Sequence, residues 1–207
     1  MKKIFTAASL LLFSLIQGCS KNDDDMNKIT VQAHDENLMM GIMHNMMDDM
    51  MAMKMTMDPD EDFAMMMKMH HQGAIEMANA ELKDGKDAQM KTLAQQIITA
   101  QQAEITQLDA FVASHAAHKM DMEFHEMMMA EMEKSGKHAD LQIINGNIDH
   151  DFAILMVEHH HSAIESARME LIHGHDAAMQ DMAKKIINAQ IAEIETLQNW
   201  LLANTNK

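Results

Sequence analysis

The chain has 207 residues, with 32 acidic against 16 basic side chains and a formal net charge of −16. This length suits one domain or two small ones, and the acidic balance excludes a nucleic-acid binder because a phosphate backbone would be repelled. The single cysteine excludes a disulfide framework, and aromatic residues at 3% argue against a β-sandwich. The unusual feature is a content of 28 methionines and 14 histidines.

The first residues have the pattern of an export signal. Two lysines precede an apolar run from Ile4 to Ile16, which is too short to span a membrane, and the motif Leu-Ile-Gln-Gly-Cys ends at Cys19. This motif resembles the lipobox of bacterial lipoproteins. We therefore predict a signal peptide over residues 1–18, lipidation of Cys19 and a lipid anchor in the bacterial cell envelope. Residues 19–35 are predicted to be a flexible tether because they lack apolar periodicity.

The rest of the chain is an internal repeat with an offset of 89 residues. Between Asp62 and Leu108, 25 of 47 positions are identical to the position 89 residues later. Identity at that level indicates a duplicated unit. We predict two repeat units, at residues 36–118 and 119–207, which together form one bundle.

Each unit has the pattern of three helices. In the first unit, one helix is predicted from Asn37 to about Lys54. A second follows the N-cap Asp58 and its proline and runs to about Lys83. A third starts near Asp87 and either breaks around residues 114–118 or continues into the next unit. We predict an all-α antiparallel helical bundle built from two tandem repeats.

The counterpart of the first helix is predicted from Glu123 to Gly136. The second and third helices of each unit are joined by a short turn, so they must lie antiparallel. Residues equally far from the turn should then face each other, and polar residues fall at the same level of both seams. Buried polar groups need partners, which are each other or a metal. The predicted facing pairs are His70 with Gln101 and Met67 with Glu104, and in the second unit His159 with Gln190 and Met156 with Glu193.

The same residues have the chemistry of metal ligands. Met67, His70 and His71 lie at i, i+3 and i+4, so they share one patch of a helix surface. Thioether sulfur selects Cu(I), and imidazole suits copper generally. A single histidine on an apolar face is more often a core residue, but a double histidine repeated with its methionine favours metal. The candidate ligands are Met67, His70, His71 and Met77 in the first unit, and Met156, His159 and His160 in the second.

The first helix has a second candidate site. Met40, Met43, His44 and Met47 lie at i, i+3, i+4 and i+7, which gives a soft site suited to Cu(I). The second unit has small or polar residues at the positions of Met46, Met47, Met50, Met51 and Met53. The extra methionines are therefore interpreted as added to a scaffold that does not need them. The alternative is a methionine-filled core or a surface for a protein partner.

Two linked motifs resemble a known family. The Met-x-x-His-His motif at residues 67–71, joined to Gln-x-x-Glu at residues 101–104, is similar to the "domain of unknown function 305" family, and so is the copy 89 residues later. The resemblance covers residues 35–203. It implies a ferritin-like helical bundle, occurrence in bacterial envelopes, and copper binding or copper tolerance. The second unit departs from the first with Ser166 in place of Met77 and His161 in place of Gln72.

Three classes of function follow. The first is an envelope copper-binding lipoprotein, without enzymatic turnover, that sequesters copper or delivers it to a transfer partner, with silver as a second candidate ion. The second is a methionine-rich module that binds partner helices. The third is a di-iron oxidase, which is disfavoured because its Glu-x-x-His motifs, Glu158–His161 and Glu170–His173, lie on one helix rather than on two.

Overall fold

The computed structural model describes residues 31–116 and 119–204, so the predicted signal peptide and Cys19 lie outside the described residues. Within these ranges the chain forms helices and no strand, which confirms the all-α prediction. None of these helices is long and apolar enough to cross a membrane. The six helices are α1 (Leu38–Ala52), α2 (Pro59–Asp84), α3 (Ala88–Ser114), α4 (Met122–Asp140), α5 (Ile148–His173) and α6 (Ala177–Ala203), and a 3-10 turn (His34–Glu36) precedes α1.

Two antiparallel hairpins form the centre of the bundle. One hairpin is α2 with α3, the other is α5 with α6, and the two meet where α2 packs on α5. Helix α1 covers α2, α4 covers α5, and α1 also contacts α4. A single buried apolar cluster draws side chains from all six helices. The predicted antiparallel bundle of two tandem repeats is confirmed.

The end of α3 decides between the two predicted alternatives, and the end of α4 differs from the prediction. Helix α3 ends at Ser114 with His115 as its C-cap, so this helix does not continue into the second unit. Helix α4 continues past Gly136 to Asp140. A glycine inside a helix costs only about 1 kcal/mol relative to alanine, and tertiary packing overrides that preference. Here Gly136 lies under the Met47 side chain of α1, which stacks the two helices.

Each unit fixes the hairpin turn of the other. The carboxylate of Asp149, in the first turn of α5, accepts hydrogen bonds at 2.8 Å from the backbone N–H groups of Lys86 and Asp87. Asp60, its counterpart in α2, accepts from the backbone of His175 at 2.9 Å and of Asp176 at 2.8 Å. These reciprocal bonds satisfy backbone donors at the start of α3 and α6, and they join the two units into one bundle.

A buried glutamate lies beside each of these carboxylates. Glu81 and Glu170 are both fully buried, and burial together with a neighbouring carboxylate raises their pKa values. Burial, with Asp149 beside it, raises the pKa of Glu81 to about 8. Burial, with Asp60 beside it, raises the pKa of Glu170 to about 9. Both glutamates therefore hold a proton at neutral pH.

The end of the segment predicted as a tether is part of the fold. The backbone N–H of Gln32 donates to the carbonyl of Ile144 at 2.9 Å. The side chain of Asn37, the N-cap of α1, donates to Asp151 of α5 at 2.7 Å. The described residues before α1 are thus held against the second unit.

Candidate metal centre

Two histidines meet where the two units join. The ring centroids of His70 on α2 and His159 on α5 lie 3.6 Å apart, with 35° between the ring planes. The two residues are 89 positions apart, so they are equivalents in the two units. Their exposed fractions are 3% and 0%. The contact therefore lies on the approximate two-fold axis that relates the units.

The hydrogen bonds of this pair assign its protons. His159 Nε2 donates to the backbone carbonyl of His70 at 2.9 Å. The Ser162 hydroxyl donates to the carbonyl of His159 at 2.9 Å, so it accepts from His70 Nε2 at 2.8 Å. Both rings then carry their proton on Nε2 and a lone pair on Nδ1. Neither Nδ1 atom has a hydrogen-bond partner among the described residues.

The neighbouring histidines are each paired with a carboxylate. His71 Nε2 lies 2.7 Å from Glu104 Oε2, and His160 Nε2 lies 2.8 Å from Glu193 Oε2. Both histidines are fully buried, and their Nδ1 atoms also lack hydrogen-bond partners in the described chain. The Nε2 contacts are close ion-pair contacts rather than aligned hydrogen bonds. A carboxylate behind an imidazole is the arrangement that orients histidine toward a metal.

This geometry corrects the predicted facing pairs. Glu104 contacts His71, one helical turn from the predicted Met67, and Glu193 contacts His160 instead of Met156. Side chains lean toward the N-terminus of their own helix. In an antiparallel hairpin, Glu104 therefore leans toward the turn and His71 leans away from it, so they meet between their backbone levels.

His70 and Gln101, predicted to face each other, are not hydrogen-bonded to each other, and His70 Nε2 contacts Ser162 of the other unit instead. Gln101 is buried, and neither of its amide atoms has a hydrogen-bond partner among the described residues. Gln190, the counterpart predicted to face His159, is buried with its Oε1 likewise unpartnered. Both glutamines are thus buried polar side chains that leave hydrogen-bonding atoms unsatisfied.

Burial sets the protonation state of the central pair. The pKa values of His70 and His159 lie well below the ordinary value, first because burial disfavours the charged ring and then because neighbouring histidines repel it. The rings are therefore neutral at pH 7, and the neutral imidazole is the form that binds metal.

The donor set fits a soft or borderline metal ion. Met67 and Met156 are 2% and 0% exposed and lie one turn before the histidines of their helices. Met77 is also fully buried, but its counterpart is Ser166, so only the first unit has a thioether there. Orphaned buried nitrogens are uncommon in native proteins and need a physical explanation. Thioether sulfur and neutral imidazole together are the ligands that copper prefers.

The predicted site on α1 is only partly assembled. Met40 and Met43 are 0% and 2% exposed and contribute to the core. His44 is exposed, with its Nε2 2.8 Å from Asp140 of α4. Met43, His44 and Met47 line a cavity of about 320 Å³ between α1 and α4, whereas Met40 is not part of its lining. The structure thus brings three of the four predicted residues together.

One further group of potential ligands was missed by sequence reasoning. Ligand atoms of Asp58, Asp60 and His115 lie within 4.8 Å of one another, and no other such set of three histidine, cysteine or acidic residues occurs in the described ranges. Asp58 caps α2 and lies 3.2 Å from His115, and Asp60 holds the α5–α6 turn. These structural bonds account for the cluster. Because His115 is 57 residues from Asp58, only the closed hairpin reveals it.

These features define a class of protein: a duplicated helical bundle with paired histidines buried where its two units meet. The family model "Domain of unknown function (DUF305)" matches residues 15–112 and 60–201, so the chain belongs to the DUF305 family. The resemblance predicted from the two motifs is confirmed. No protein among the curated sequences matches.

Solved structures show the same relationship. CopM in its Cu(I)-bound form is 25% identical with a TM-score of 0.54, and the match covers 70% of this chain and 96% of CopM. The Cu(II)-bound form gives 26% identity, a TM-score of 0.53 and the same coverage. A silver-soaked form covers 73% of this chain and 98% of CopM, at 25% identity and a TM-score of 0.54. A DUF305 fragment from Deinococcus radiodurans, 22% identical, shares the fold, with a TM-score of 0.52 and coverage of 69% and 95%.

Proposed function

We propose that this protein binds copper at the buried histidines of the two units, without enzymatic turnover. The main support is that four histidines are buried and leave Nδ1 without a hydrogen-bond partner in the described chain: His70, His71, His159 and His160. Lone pairs that are buried away from water in this way are suited to metal ligation. CopM structures that bind Cu(I), Cu(II) and silver support copper as the ion and silver as a substitute.

The biological setting is part of the same proposal. An N-terminal lipid on Cys19 would hold the protein to a membrane of the bacterial envelope, where it sequesters copper or passes it to a transfer partner. The lipobox-like motif supports this placement.

The test separates metal ligation from core packing. A glutamine side chain can keep the hydrogen bond that Nε2 donates while removing the Nδ1 lone pair. The double variant His70→Gln/His159→Gln should therefore retain its helical content and lose bound copper. Copper equivalents are measured on the full chain by titration of Cu(I) under reducing conditions and of Cu(II) in air, with circular dichroism as the folding check.

A matched control uses the same substitution at an exposed position. His175→Gln should bind as many copper equivalents as the parent chain, because His175 is exposed and away from the four buried rings. Unchanged copper binding in His70→Gln/His159→Gln would show that the histidines are core residues and would overturn the site.

A second variant keeps the test decisive if the histidine variant unfolds. Met67→Leu/Met156→Leu conserves volume, and such swaps usually cost less than about 1.5 kcal/mol each. It should remain folded and bind Cu(I) at least about tenfold more weakly, since thioethers are the soft ligands, with a smaller effect on Cu(II). Equal Cu(I) affinity in variant and parent would remove the thioethers from the proposed site.

A further inference from the structure

The second unit has a polar cavity between α4 and α5. Its volume is about 200 Å³, and its lining includes three carboxylates and two imidazoles against one ammonium group. His138 and His161 are exposed, and His138 Nδ1 lies 3.8 Å from Glu158 Oε2. A cleft with a net negative lining concentrates cations from solvent. The cavity thus combines electrostatic attraction with side chains that bind copper.

The floor of this cavity reaches the buried histidines. Ser162 lines the cavity, and its hydroxyl is the group that contacts His70 Nε2 at 2.8 Å. Ser135 also lines it, is 6% exposed, and has no hydrogen-bond partner for its hydroxyl among the described residues. Polar groups therefore continue from solvent to the first ring of the candidate centre.

The first unit lacks the two serine hydroxyls at this floor. Its equivalent cavity, of about 210 Å³ between α1 and α2, has Asp49 and Gln72 at the positions of His138 and His161. The counterpart of Ser162 is Gly73, which has no side chain and is covered by Met46: a Cβ built at Gly73 would lie 2.5 Å from the Met46 sulfur. On the first side, a thioether and a glycine therefore replace the two hydroxyls at the floor of the cavity.

We propose that the α4–α5 cavity is the entry route by which a copper ion reaches the buried histidines. This inference rests on the proposed function. His138 and His161 act as the first, transient ligands, and Ser162 is the last polar group before His70. No three histidine or acidic ligand atoms of this cavity converge within 4.8 Å in the described chain, so the site suits passage rather than tight retention. An ion that loses its water stepwise needs replacement ligands at each step.

The experiment measures rate and stoichiometry separately. His138→Ala/His161→Ala changes two exposed side chains, so the full chain should fold and bind as many copper equivalents as the parent. The carboxylates remain, but the entering ion loses both imidazole ligands, so the rate at which the variant takes Cu(II) from a chromophoric chelator should fall about tenfold, which corresponds to about 1.4 kcal/mol of barrier. The absorbance of the chelator complex follows the transfer.

The matched control alters the equivalent positions of the first unit. Asp49→Ala/Gln72→Ala should load at nearly the parent rate, because the floor of that cavity has a thioether and a glycine instead of the hydroxyls that lead to His70. Loading of His138→Ala/His161→Ala at the parent rate would overturn the route. A loss of copper equivalents in that variant would also overturn it, because the cavity would then be a retaining site. Absence of copper binding in the parent chain would instead refute the proposed function.

Discussion

The two units differ most in how their first helices pack. In the first unit, Met46 of α1 packs directly against Gly73 of α2. In the second unit the same positions are Ser135 and Ser162. The first unit pairs a large methionine with a glycine, and the second unit pairs two small serines. The contact between the helices is therefore made in each unit by a different pair of residues. Divergence between the copies is therefore coupled across the helix contact rather than made one residue at a time.

For Met46 and Met50, this comparison corrects the interpretation that the methionines of α1 are additions which the scaffold does not need, whereas Met51 is 46% exposed. Met46 and Met50 are each 6% exposed and belong to the apolar core. Met47 packs against Gly136, its own counterpart in α4. The copy manages with smaller residues because its partner positions changed too. The same exchange leaves hydroxyls, in place of a thioether, between solvent and His70.

The largest expected effect tests whether the hairpin turns are equivalent. A Cβ at Gly85 would lie 2.2 Å from Glu81 Oε1 and 2.5 Å from its backbone oxygen, and at Gly174 the distances to Glu170 are 2.0 and 2.6 Å. Because the backbone oxygens of Glu81 and Glu170 cannot move away from an added Cβ, Gly85→Ala and Gly174→Ala should each lower the free energy of unfolding by about 3 kcal/mol or more. Urea unfolding measures both. Tolerance of alanine in one unit alone would break the equivalence.

The next effect is the pH dependence of the free energy of unfolding that the two buried glutamates cause. Their folded-state pKa values of about 8 for Glu81 and about 9 for Glu170 lie above the ordinary 4.5. The folded state therefore holds more protons, and each glutamate makes stability fall as pH rises from about 4.5 to its folded-state pKa. One pKa unit is about 1.4 kcal/mol, so the upper limit of the loss is about 5 kcal/mol for Glu81 and about 6 kcal/mol for Glu170.

Glutamine variants separate the two glutamates. Glu81→Gln should remove the part of the fall that ends near pH 8, and Glu170→Gln the part that continues to about pH 9. Unfolding free energies measured from pH 5 to 10 provide the comparison. Identical pH profiles for parent and variants would show that neither glutamate holds its proton in the folded state.

A smaller effect tests the coupled exchange itself. Gly73→Ser adds a Cβ that would lie 2.5 Å from the Met46 sulfur, so the single variant should be destabilised by about 1–3 kcal/mol. The double variant with Met46→Ser reproduces the serine pair of the second unit. In that background, Gly73→Ser should lower the free energy of unfolding by less than it does alone. The double-mutant cycle should give a favourable coupling of about 1–2 kcal/mol. Strict additivity would show that the two positions diverged independently.

The sequence predicted the fold because its signals are local and repeated. The N-cap at Asp58 and the 89-residue offset both follow from residue order, and the helix pattern they indicate is the one observed. The extension of α4 beyond Gly136 was not predicted, because the compensating contact comes from α1.

The histidines of the candidate site were visible in the sequence, but their arrangement was not. The double histidines repeat visibly in the sequence, yet their partners depend on how the units dock. Nothing local indicates that His70 binds Ser162 or that His159 binds the carbonyl of His70. The replacement of Gly73 by Ser162 was visible in the repeat alignment and was the available signal for this contact. Its meaning required the packing of α2 on α5.

The smallest structural effect tests whether α1 has a Cu(I) site of its own. Met43, His44 and Met47 line one cavity with Asp48, which gives two thioethers and one imidazole. Met43→Leu/Met47→Leu keeps volume and should cost less than about 1.5 kcal/mol per substitution. It should lose Cu(I) equivalents under reducing conditions and keep most Cu(II) binding, because Cu(II) prefers imidazole and carboxylate ligands. Cu(I) titration with a competing chelator measures the loss.

The second unit provides the matched control for this site. Met132 is the counterpart of Met43 and is 3% exposed, but the counterpart of Met47 is Gly136, so α4 has no second thioether there. Met132→Leu should therefore leave Cu(I) binding unchanged at a similar cost in stability. If the α1 and α4 variants bind Cu(I) equally, the methionines of α1 serve packing alone. The difference between the units would then be confined to the way each fills the space between its helices.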